Sequence, residues 1–415
     1  MKQKYNNLSK EVKQSILLLL TTFLTMVVLL GVNFFMTKIL DKEEFGDYSF
    51  IINLYTFLQV FFNFGFFYSI SKLIGHSNNS IHDREYYGVG LVILLFVYLF
   101  MSICLLIYMY NFLNIKKYNL NALIISIPFG WIFLLNSFNE LVLQGSNKIF
   151  LLAQSRLLPK FIFLLILAFL FVSQITSNTY YIILFYFISG LIPYLYIIKR
   201  LMPKFGNLKY RFREVFTANK NFGFNVYIGS LFAVGASSIS GILISYFGVN
   251  NTEVGCYSIA LQLSAPLSLM PNVLATTFFK KFICADLIDK KLVYTMVGIS
   301  LFSLLIIVFI SNPIIVLIYG KEYLESVYLL YGLSLSSVIY GIGDFFNKFL
   351  LSKGKGVELR NASFLVGTTL MISNLILINK FGAKGAALST IISGTLYLVI
   401  ILKYYKNTIL NIKKN

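Results

Sequence analysis

The chain has 415 residues, of which 58% are hydrophobic and 12% are charged. Ordinary soluble domains have roughly 45–50% apolar and about 25% charged residues, so this composition excludes that class. A hydrocarbon core of about 30 Å needs roughly 20 apolar helical residues to cross it. Most of the chain consists of stretches of that kind, so we expect the protein to work inside or across a lipid bilayer.

Apolar stretches of membrane-spanning length follow one another along the chain. Their length and their lack of strict apolar–polar alternation predict helices rather than the strands of a membrane barrel. The first stretch follows several lysines, as a signal peptide would. No cleavage site of small residues stands out after it, so we predict that it is retained as a span. The twelve predicted spans are 14–37, 48–74, 88–112, 120–143, 150–172, 180–198, 222–247, 254–279, 293–318, 323–351, 359–378 and 382–405.

The net charge of +19 could suggest binding to nucleic acid, but the placement of the charge argues against it. If the N-terminus faces the cytoplasm, most Lys and Arg residues fall in cytoplasmic segments, and the stretch 199–220 is the richest of them. The positive-inside rule then predicts that both termini are cytoplasmic. The basic excess is therefore a topology signal, and we expect no nucleic-acid partner.

Metal and cofactor sites are not indicated by the Cys and His residues. Cys104, Cys256 and Cys284 lie in or beside predicted spans without paired spacing. His76 and His82 fall in one short polar loop, where solvated side chains are the simplest interpretation. We therefore predict neither a metal nor a cofactor.

A short motif, Glu-x-Gly-x-Tyr-Ser, recurs after the first and the seventh predicted span, at 44–49 and 253–258. Further matches follow in the same order, and one of them pairs Arg156 with Arg360. This pattern indicates a duplicated unit of six spans. Since six is an even number, both copies enter the membrane in the same direction. We predict an all-α integral membrane protein with twelve transmembrane helices. They would form two six-helix lobes, related by a pseudo-two-fold axis along the membrane normal, around a central cavity.

The basic stretch in the middle of the chain is the predicted linker between the lobes. We place the N-terminal lobe at 1–204, the linker at 205–221 and the C-terminal lobe at 222–415. Apolar residues recur at helical spacing in the linker, which favours a short amphipathic helix at the anionic inner surface of the membrane. A disordered basic loop is the alternative. The apolar residues are Phe205, Leu208, Phe212, Val215 and Phe216.

The repeated motif, with 40–49 as its fullest copy, resembles that of the polysaccharide-transporter branch of the MATE-like (MOP) flippase superfamily. The segment 381–388 looks like the usual start of the last span in that branch. A chain of twelve spans resembles Wzx-type O-antigen flippases more than lipid II flippases, which usually have fourteen. The resemblance extends over the whole chain.

The resemblance implies a function in the assembly of a surface glycan such as lipopolysaccharide. The substrate would be an undecaprenyl-pyrophosphate-linked oligosaccharide repeat unit, moved from the cytoplasmic to the periplasmic leaflet of the bacterial inner membrane. The expected mechanism is alternating access with coupling to an ion gradient. Membrane lipid is a further partner on this interpretation, and so are a glycan polymerase and a chain-length regulator.

Such a substrate requires a hydrated, cationic cavity, because neither a pyrophosphate nor a sugar chain crosses hydrocarbon unaided. Ionisable residues inside spans are costly and mark substrate or ion pathways. In the first half these residues are Glu140, Arg156 and Lys160. Arg156 and Lys160 are four residues apart and share a helix face. Pro159 between them is expected to kink the helix toward a cavity. We predict that both cations lie in the substrate pathway.

In the second half the corresponding residues are Asp344, Lys348 and Arg360. Each half thus contributes one carboxylate and two cations, which leaves the predicted pathway with a net positive charge. The planar fork of an Arg side chain matches phosphate oxygens. We therefore add Arg360 and Lys348 to the predicted substrate pathway.

Other roles for the same residues remain open. Glu140 could form a static ion pair with Arg156 or its neighbouring lysine, and Asp344 could form one with Lys348. Lys348 and Arg360 could instead extend to the cytoplasmic interface. The two carboxylates could also take up protons coupled to transport.

Two other functions are weighed against the flippase. A MATE-like small-molecule antiporter that exports cationic drugs would require an acidic cavity to bind them, whereas this pathway is predicted to be basic. A membrane glycan enzyme, such as a polymerase or glycosyltransferase, would need reactive groups in a substantial extramembrane loop. The longest candidate loop, 199–221, is basic and contains Glu214 as its one carboxylate. No nucleotide-binding motif is present in the sequence, so we predict that the protein is not an enzyme.

Overall fold

The computed structural model describes residues 10–414, apart from 78, 113–119, 176, 233–235, 279–281 and 283–284. Within these ranges the chain forms helices and contains no strand. Cys284, considered above as a candidate ligand, lies outside them. The prediction of an all-α protein is confirmed.

The first eight described helices lie in the first half of the chain. The side chain of Asp41 caps the second helix by accepting a hydrogen bond from the Glu44 amide at 2.8 Å. Asn178 caps the eighth through the Tyr181 amide at 3.4 Å. Both caps satisfy amides that the first turn of a helix leaves unpaired. These helices are α1 (Lys10–Ile39), α2 (Lys42–Phe61), α3 (Phe66–His76), α4 (Ser80–Phe112), α5 (Leu120–Ser126), α6 (Trp131–Gly145), α7 (Ile149–Val172) and α8 (Thr179–Leu201).

The first of the remaining helices begins inside the predicted linker, and the others follow it. The first of them spans Leu208–Ala218, which confirms the short helix predicted there and excludes a disordered loop. A π-helical turn at Asn219–Gly223 continues it into the next helix. The helices are α9 (Leu208–Ala218), α10 (Phe224–Ser230), α11 (Ala236–Phe247), α12 (Thr252–Thr277), α13 (Lys290–Ile318), α14 (Glu325–Ser352) and α15 (Gly356–Lys414).

Eight helices of the described chain are long and apolar enough to cross a membrane. Two bent pairs, α2 with α3 at 59° and α5 with α6 at 43°, raise the number to ten if each pair crosses as one span. Helix α15 counts once, although a non-helical residue, Gly382, interrupts it at the start of the last predicted span. The seventh predicted span includes 233–235, outside the described ranges. The chain is thus a multi-pass membrane protein, and the number twelve stays a prediction.

The chain divides into two compact units. The first comprises Met1–Glu44 and Tyr55–Ile228. In it α1 packs along α7, and α3 packs along α6. Aromatic rings fill part of its core: Tyr55 stacks on Phe133 at 5.1 Å and meets Phe187 edge-on at 6.0 Å between ring centroids. These contacts hold α2, α6 and α8 together.

The second unit comprises Phe45–Leu54 and Gly229–Asn415. Helix α14 is its centre and packs along both α12 and α15. Phe282 meets two rings of α14, Phe345 at 5.8 Å and Phe349 at 5.7 Å, and all three side chains are buried. The part of α2 from Phe45 to Leu54 belongs to this unit.

The two copies of the repeated motif meet inside the second unit, where α2 crosses α12. A methyl group added at Gly255 would lie 3.4 Å from the Cα atom of Gly46 and 2.9 Å from a ring carbon of Phe45. A methyl group at Gly46 would overlap the backbone carbonyl of Asn251. The motif glycines therefore allow two helix backbones to approach closely.

Glu253 of the second motif copy stabilises the interruption of α15 at Gly382. The carboxylate of Glu253 accepts a hydrogen bond from the Ala383 amide at 2.8 Å. Gly382 before it adopts φ 56°, a left-handed conformation that favours glycine. A side chain at Gly382 would also overlap the Glu253 carboxylate. The motif at 253–258 and the segment 381–388 are thus joined as a structural element.

Candidate functional site

A cavity of about 490 Å³ lies inside the first unit, between α1, α6, α7 and α8. It contains every ionisable residue that the sequence singled out in the first half. Most of its other polar groups are hydroxyls. Its walls are formed by Thr22, Thr25, Met26, Leu29, Ile132, Asn136, Glu140, Ser155, Arg156, Pro159, Lys160, Tyr186, Ser189, Gly190 and Tyr194.

An ion pair between α6 and α7 crosses one wall of this cavity. The Arg156 Nε atom donates to Glu140 Oε2 at 3.0 Å, and its Nη2 atom contacts Glu140 Oε1. Gln144, one turn along α6, also donates to Glu140 Oε1 at 2.9 Å. The two charged side chains remain 29% and 31% exposed, so the pair is accessible from the cavity. Glu140 thus occupies the fork of Arg156 in this structure.

Lys160 lines the same cavity one turn further along α7. Within the described part of the chain it forms no ion pair, although Arg156 and Glu140 lie near enough to act on it electrostatically. Helix α7 continues through Pro159, which also lines the cavity. Since Arg156 already engages the carboxylate, Lys160 carries the positive charge that no direct contact neutralises.

Two tyrosines of α8 line the cavity and were not singled out from the sequence. The Tyr194 hydroxyl donates to Asn136 Oδ1 at 2.9 Å. The ring of Tyr186 packs edge-on against Phe163, with 5.4 Å between centroids. Tyr186 and Tyr194 are eight residues apart on one helix face, a spacing that could have paired them. Because the chain has 28 Tyr residues, nothing in the sequence singled out these two.

In the second unit, Asp344 is hydrogen-bonded to a tyrosine rather than ion-paired. The Tyr397 hydroxyl donates to Asp344 Oδ1 at 2.8 Å, and Asn347 Nδ2 donates to the Tyr397 hydroxyl at 2.8 Å. Among the described residues no salt bridge joins Asp344 to Lys348. Where the sequence left open a static ion pair between these two residues, the structure has a hydrogen bond from Tyr397 at Asp344. Tyr397 lies on α15 and is distant in sequence, so spacing along α14 could not reveal it.

In the part of the chain that the structure describes, Arg360 and Lys348, the two predicted cations of the second half, do not share a cavity with a carboxylate as Arg156 and Lys160 do. Arg360 is exposed in the first turns of α15 and forms no ion pair within the described residues. Lys348 is half-buried on α14, near Asp344. Nearby, Lys355 pairs with Glu358 at 3.3 Å. The first unit thus brings its predicted residues together in one cavity, whereas the second unit joins only Asp344 and Lys348 as neighbours on α14.

The cavity of the first unit has the chemistry of an anion site. Its ionisable residues are two cations and one carboxylate, and an Arg fork and a Lys point charge are both suited to phosphate oxygens. The Tyr, Ser, Thr and Asn side chains around them can exchange hydrogen bonds with hydroxyl groups. The described residues contain no group of His, Cys, Asp and Glu that could hold a metal ion.

Comparisons with known proteins identify the family of the chain. Residues 12–279 match the family described as polysaccharide biosynthesis protein. The chain is also similar to the capsular polysaccharide biosynthesis protein CapF of Staphylococcus aureus, with 24% identity over 257 residues. That match covers 58% of this chain and 64% of CapF, so it spans a little under two thirds of the relative's length.

Solved transporter structures share the fold. The lipid II flippase MurJ, in an inward closed conformation, gives a TM-score of 0.72 with 16% identity, over 95% of this chain and 89% of MurJ. An inward-facing multidrug resistance MATE transporter of the MOP superfamily gives 0.70 with 12% identity, over 94% and 96%. An outward-facing structure of a MATE transporter gives 0.63 with 14% identity, over 97% and 96%.

Proposed function

This chain belongs to the polysaccharide biosynthesis protein family, and from that premise we propose that it is a flippase for a lipid-linked glycan. The substrate is an undecaprenyl-pyrophosphate-linked oligosaccharide repeat unit of an O-antigen or similar surface glycan. The protein moves it from the cytoplasmic to the periplasmic leaflet of the inner membrane by alternating access. The family assignment and the fold shared with MurJ support this proposal.

The observation that carries the proposal is the cationic cavity among membrane-spanning helices of the first unit. Arg156 and Lys160 line it together, and one carboxylate, Glu140, faces them. The remaining net positive charge suits a pyrophosphate, which would otherwise have no favourable position among apolar helices. The hydroxyl and amide groups of Tyr194 and Asn136 suit the first sugars attached to it.

Binding requires an exchange of partners at Arg156. The pyrophosphate first approaches Lys160, whose charge is not neutralised by a direct contact, and then displaces Glu140 from the Arg156 fork. A carboxylate beside a phosphate is electrostatically unfavourable, so Glu140 moves away from Arg156 as the phosphate binds. Release of the substrate restores the ion pair. Glu140 is also the residue of this cavity that we propose couples transport to a proton gradient.

The proposal includes the architecture that the sequence predicts. Twelve spans form two six-helix lobes, 1–204 and 222–415, related by a pseudo-two-fold axis along the membrane normal, with 205–221 as a cytoplasmic linker. Both termini face the cytoplasm. Lys348 and Arg360 of the second lobe add positive charge to the substrate pathway, and a glycan polymerase and a chain-length regulator receive the product.

A MATE-like small-molecule antiporter is the second candidate, because MATE transporters share the fold. The cavity argues against it, since a cationic drug would meet Arg156 and Lys160 with one carboxylate already paired. Export of cationic drugs by the protein, and its loss in the Glu140→Gln variant, would favour this candidate over the flippase.

Replacement of the two cavity cations tests the proposed function. In the producing bacterium, Arg156→Gln or Lys160→Gln should lower surface glycan about tenfold or more, which corresponds to a loss of about 1.4 kcal/mol in the productive interaction. Surface glycan is measured on gels, and protein level by immunoblotting of membranes. Arg200→Gln and Lys199→Gln remove exposed charges of α8 outside the cavity and serve as controls. Normal glycan in the cavity variants would refute the role of these cations.

A further inference from the structure

Helix α9 in the linker has two faces of opposite chemistry. Arg211 and Val215 are buried against the rest of the first unit, whereas Phe212 and Phe216 are exposed. Lys209 and Arg213 lie beside these exposed rings. A soluble helix turns its aromatic rings inward, whereas exposed rings beside cations are typical of a helix at a membrane surface.

The inner face of α9 is anchored to α4 by a network of charged and polar groups. Arg211 Nε donates to Glu85 Oε2 at 2.7 Å, and its Nη1 atom donates to Glu214 Oε2 at 2.8 Å. Asn207 donates to Glu85 at 3.1 Å, and the Tyr86 hydroxyl donates to Glu214 at 3.0 Å. The anchor fixes the helix in one orientation.

The network also determines which charged groups lie on the exposed side of α9. Burial by itself would raise the pKa of the Glu214 carboxyl, but the hydrogen bonds from Arg211 and Tyr86 outweigh it and lower this pKa. Glu214 therefore stays ionised at neutral pH and remains held by Arg211. The exposed side of α9 includes the cations Lys209 and Arg213 and the rings of Phe212, Phe216 and Tyr210.

A groove of about 230 Å³ lies between this helix and α4. Five of its six lining residues are apolar, and the sixth is a lysine. Phe96 on its wall is 64% exposed, so the groove opens outward. The lining residues are Val89, Val92, Phe96, Leu208, Lys209 and Phe212.

We propose that this groove binds an anionic phospholipid of the cytoplasmic leaflet. One acyl chain lies between Val92 and Phe212, and the phosphate of the headgroup is held by Lys209, with Arg213 close to it on the same helix. Charge complementarity selects an anionic headgroup, because the nearby acids Glu85 and Glu214 are engaged by Arg211. The apolar walls select a molecule with a hydrocarbon chain rather than a free phosphate.

The site does not depend on the flippase activity. It requires that the chain lies in a membrane with α9 at the cytoplasmic surface, as the basic linker predicts. A bound lipid would bridge α9 and α4 and so stabilise the first unit, since a ligand that binds only the folded state raises the unfolding temperature.

Thermal unfolding with defined lipids tests this site. Purified, detergent-solubilised protein is heated with phosphatidylglycerol, with phosphatidylcholine of the same chains, or with glycerol phosphate alone. We expect phosphatidylglycerol to raise the unfolding temperature by several degrees, phosphatidylcholine to raise it much less, and glycerol phosphate to leave it unchanged. Native mass spectrometry should detect retained phosphatidylglycerol on the unheated protein.

Two kinds of variant identify the groove as the site. Lys209→Gln should remove more than half of the phosphatidylglycerol shift, and Val92→Trp, which fills the groove, should remove the response to both lipids. Val92→Leu fills it less and gives a second reading if the Trp variant does not fold. Lys403→Gln, an exposed lysine of α15, is the control and should keep the full shift.

Three outcomes would overturn the proposal. An unchanged shift in Lys209→Gln would exclude the headgroup contact, and an unchanged shift in both Val92 variants would exclude the groove. An equal shift with glycerol phosphate alone would indicate a site for a soluble anion. None of these results would affect the surface-glycan test at Arg156 and Lys160, so the two proposals fail separately.

Discussion

The cations Arg156 and Lys160 have different neighbours although they lie one turn apart on α7. Arg156 is held by both oxygens of Glu140, whereas Lys160 forms no ion pair within the described residues. A group that is already paired must lose that contact before it binds a ligand, so the two cations have different parts in the proposed mechanism. Lys160 attracts the phosphate, and Arg156 exchanges one anion for another.

Removal of the competing carboxylate tests this exchange. In Glu140→Gln the Arg156 fork is no longer held by a charged partner, so we expect undecaprenyl pyrophosphate to bind about tenfold more tightly, or about 1.4 kcal/mol. Transport in proteoliposomes should become slow and independent of the proton gradient. Binding is measured by fluorescence titration, and transport with a labelled lipid. Gln144→Leu removes the other hydrogen bond to Glu140 and should retain gradient dependence.

If Glu140 is only a static bridge between α6 and α7, the Glu140→Gln variant would unfold at a lower temperature and bind the lipid with unchanged affinity. That result would contradict the exchange mechanism.

Asp344 provides the matching comparison in the second unit. Asp344→Asn keeps an oxygen that can accept the Tyr397 hydrogen bond, so the fold should be retained. We expect its transport to depend on the proton gradient as in the wild type. If this variant loses the dependence and Glu140→Gln keeps it, proton uptake belongs to Asp344. The same vesicle assay decides between the two carboxylates.

At the scale of the helices, the repeated motif works through close packing and capping. Gly46 of the first copy lies against the backbone at Asn251, just before α12, and Glu253 of the second copy caps the interrupted helix α15. Both contacts lie in the second unit, although the first motif copy is far from this unit in the sequence. The motif is therefore a structural feature, and the proposed substrate pathway does not use it.

A methyl group at the crossing tests this role. Gly46→Ala should destabilise the protein by roughly 1–3 kcal/mol, because the added atom overlaps the Asn251 carbonyl and the helices must move apart. Thermal unfolding in detergent measures the effect. Gly298→Ala in α13 is the control, because nothing lies within 4 Å of the added methyl group. There the better helix former should keep or raise the unfolding temperature. Equal behaviour of both variants would refute the close crossing.

At the scale of the whole molecule, two compact units form a multi-pass membrane protein of the polysaccharide biosynthesis protein family. The proposed direction of transport depends on its orientation. Basic residues cluster on one side of the predicted spans, and the linker carries the densest cluster. Because positively charged loops stay in the cytoplasm, this asymmetry predicts the orientation of every loop.

Cysteine labelling checks that orientation. In a variant with the three native cysteines replaced, Lys199→Cys should react with an impermeant maleimide only after the membrane is opened. Lys321→Cys should react in intact spheroplasts. Both side chains are exposed, so access depends on the side of the membrane alone. The reverse labelling pattern would invert the topology and the proposed direction of transport.

The sequence by itself determined the class of the protein and the identity of its candidate residues. Hydrophobic length and charge placement are properties of a linear chain, and they sufficed to predict an all-α membrane protein. The helix inside 205–221 followed from its periodicity. The family followed from short motifs, and Arg156 and Lys160 stood out because charges inside spans are costly.

Only the tertiary structure decided which partner each side chain has. Arg211 lies in a stretch rich in cations, yet it is buried against Glu85, and Asp344 is hydrogen-bonded to Tyr397 rather than paired with Lys348. These partners lie on different helices and far apart in the sequence. Hydrophobicity predicts whether a residue is buried. Which residue it then contacts depends on how the helices are rotated and packed, and this depends on the whole fold.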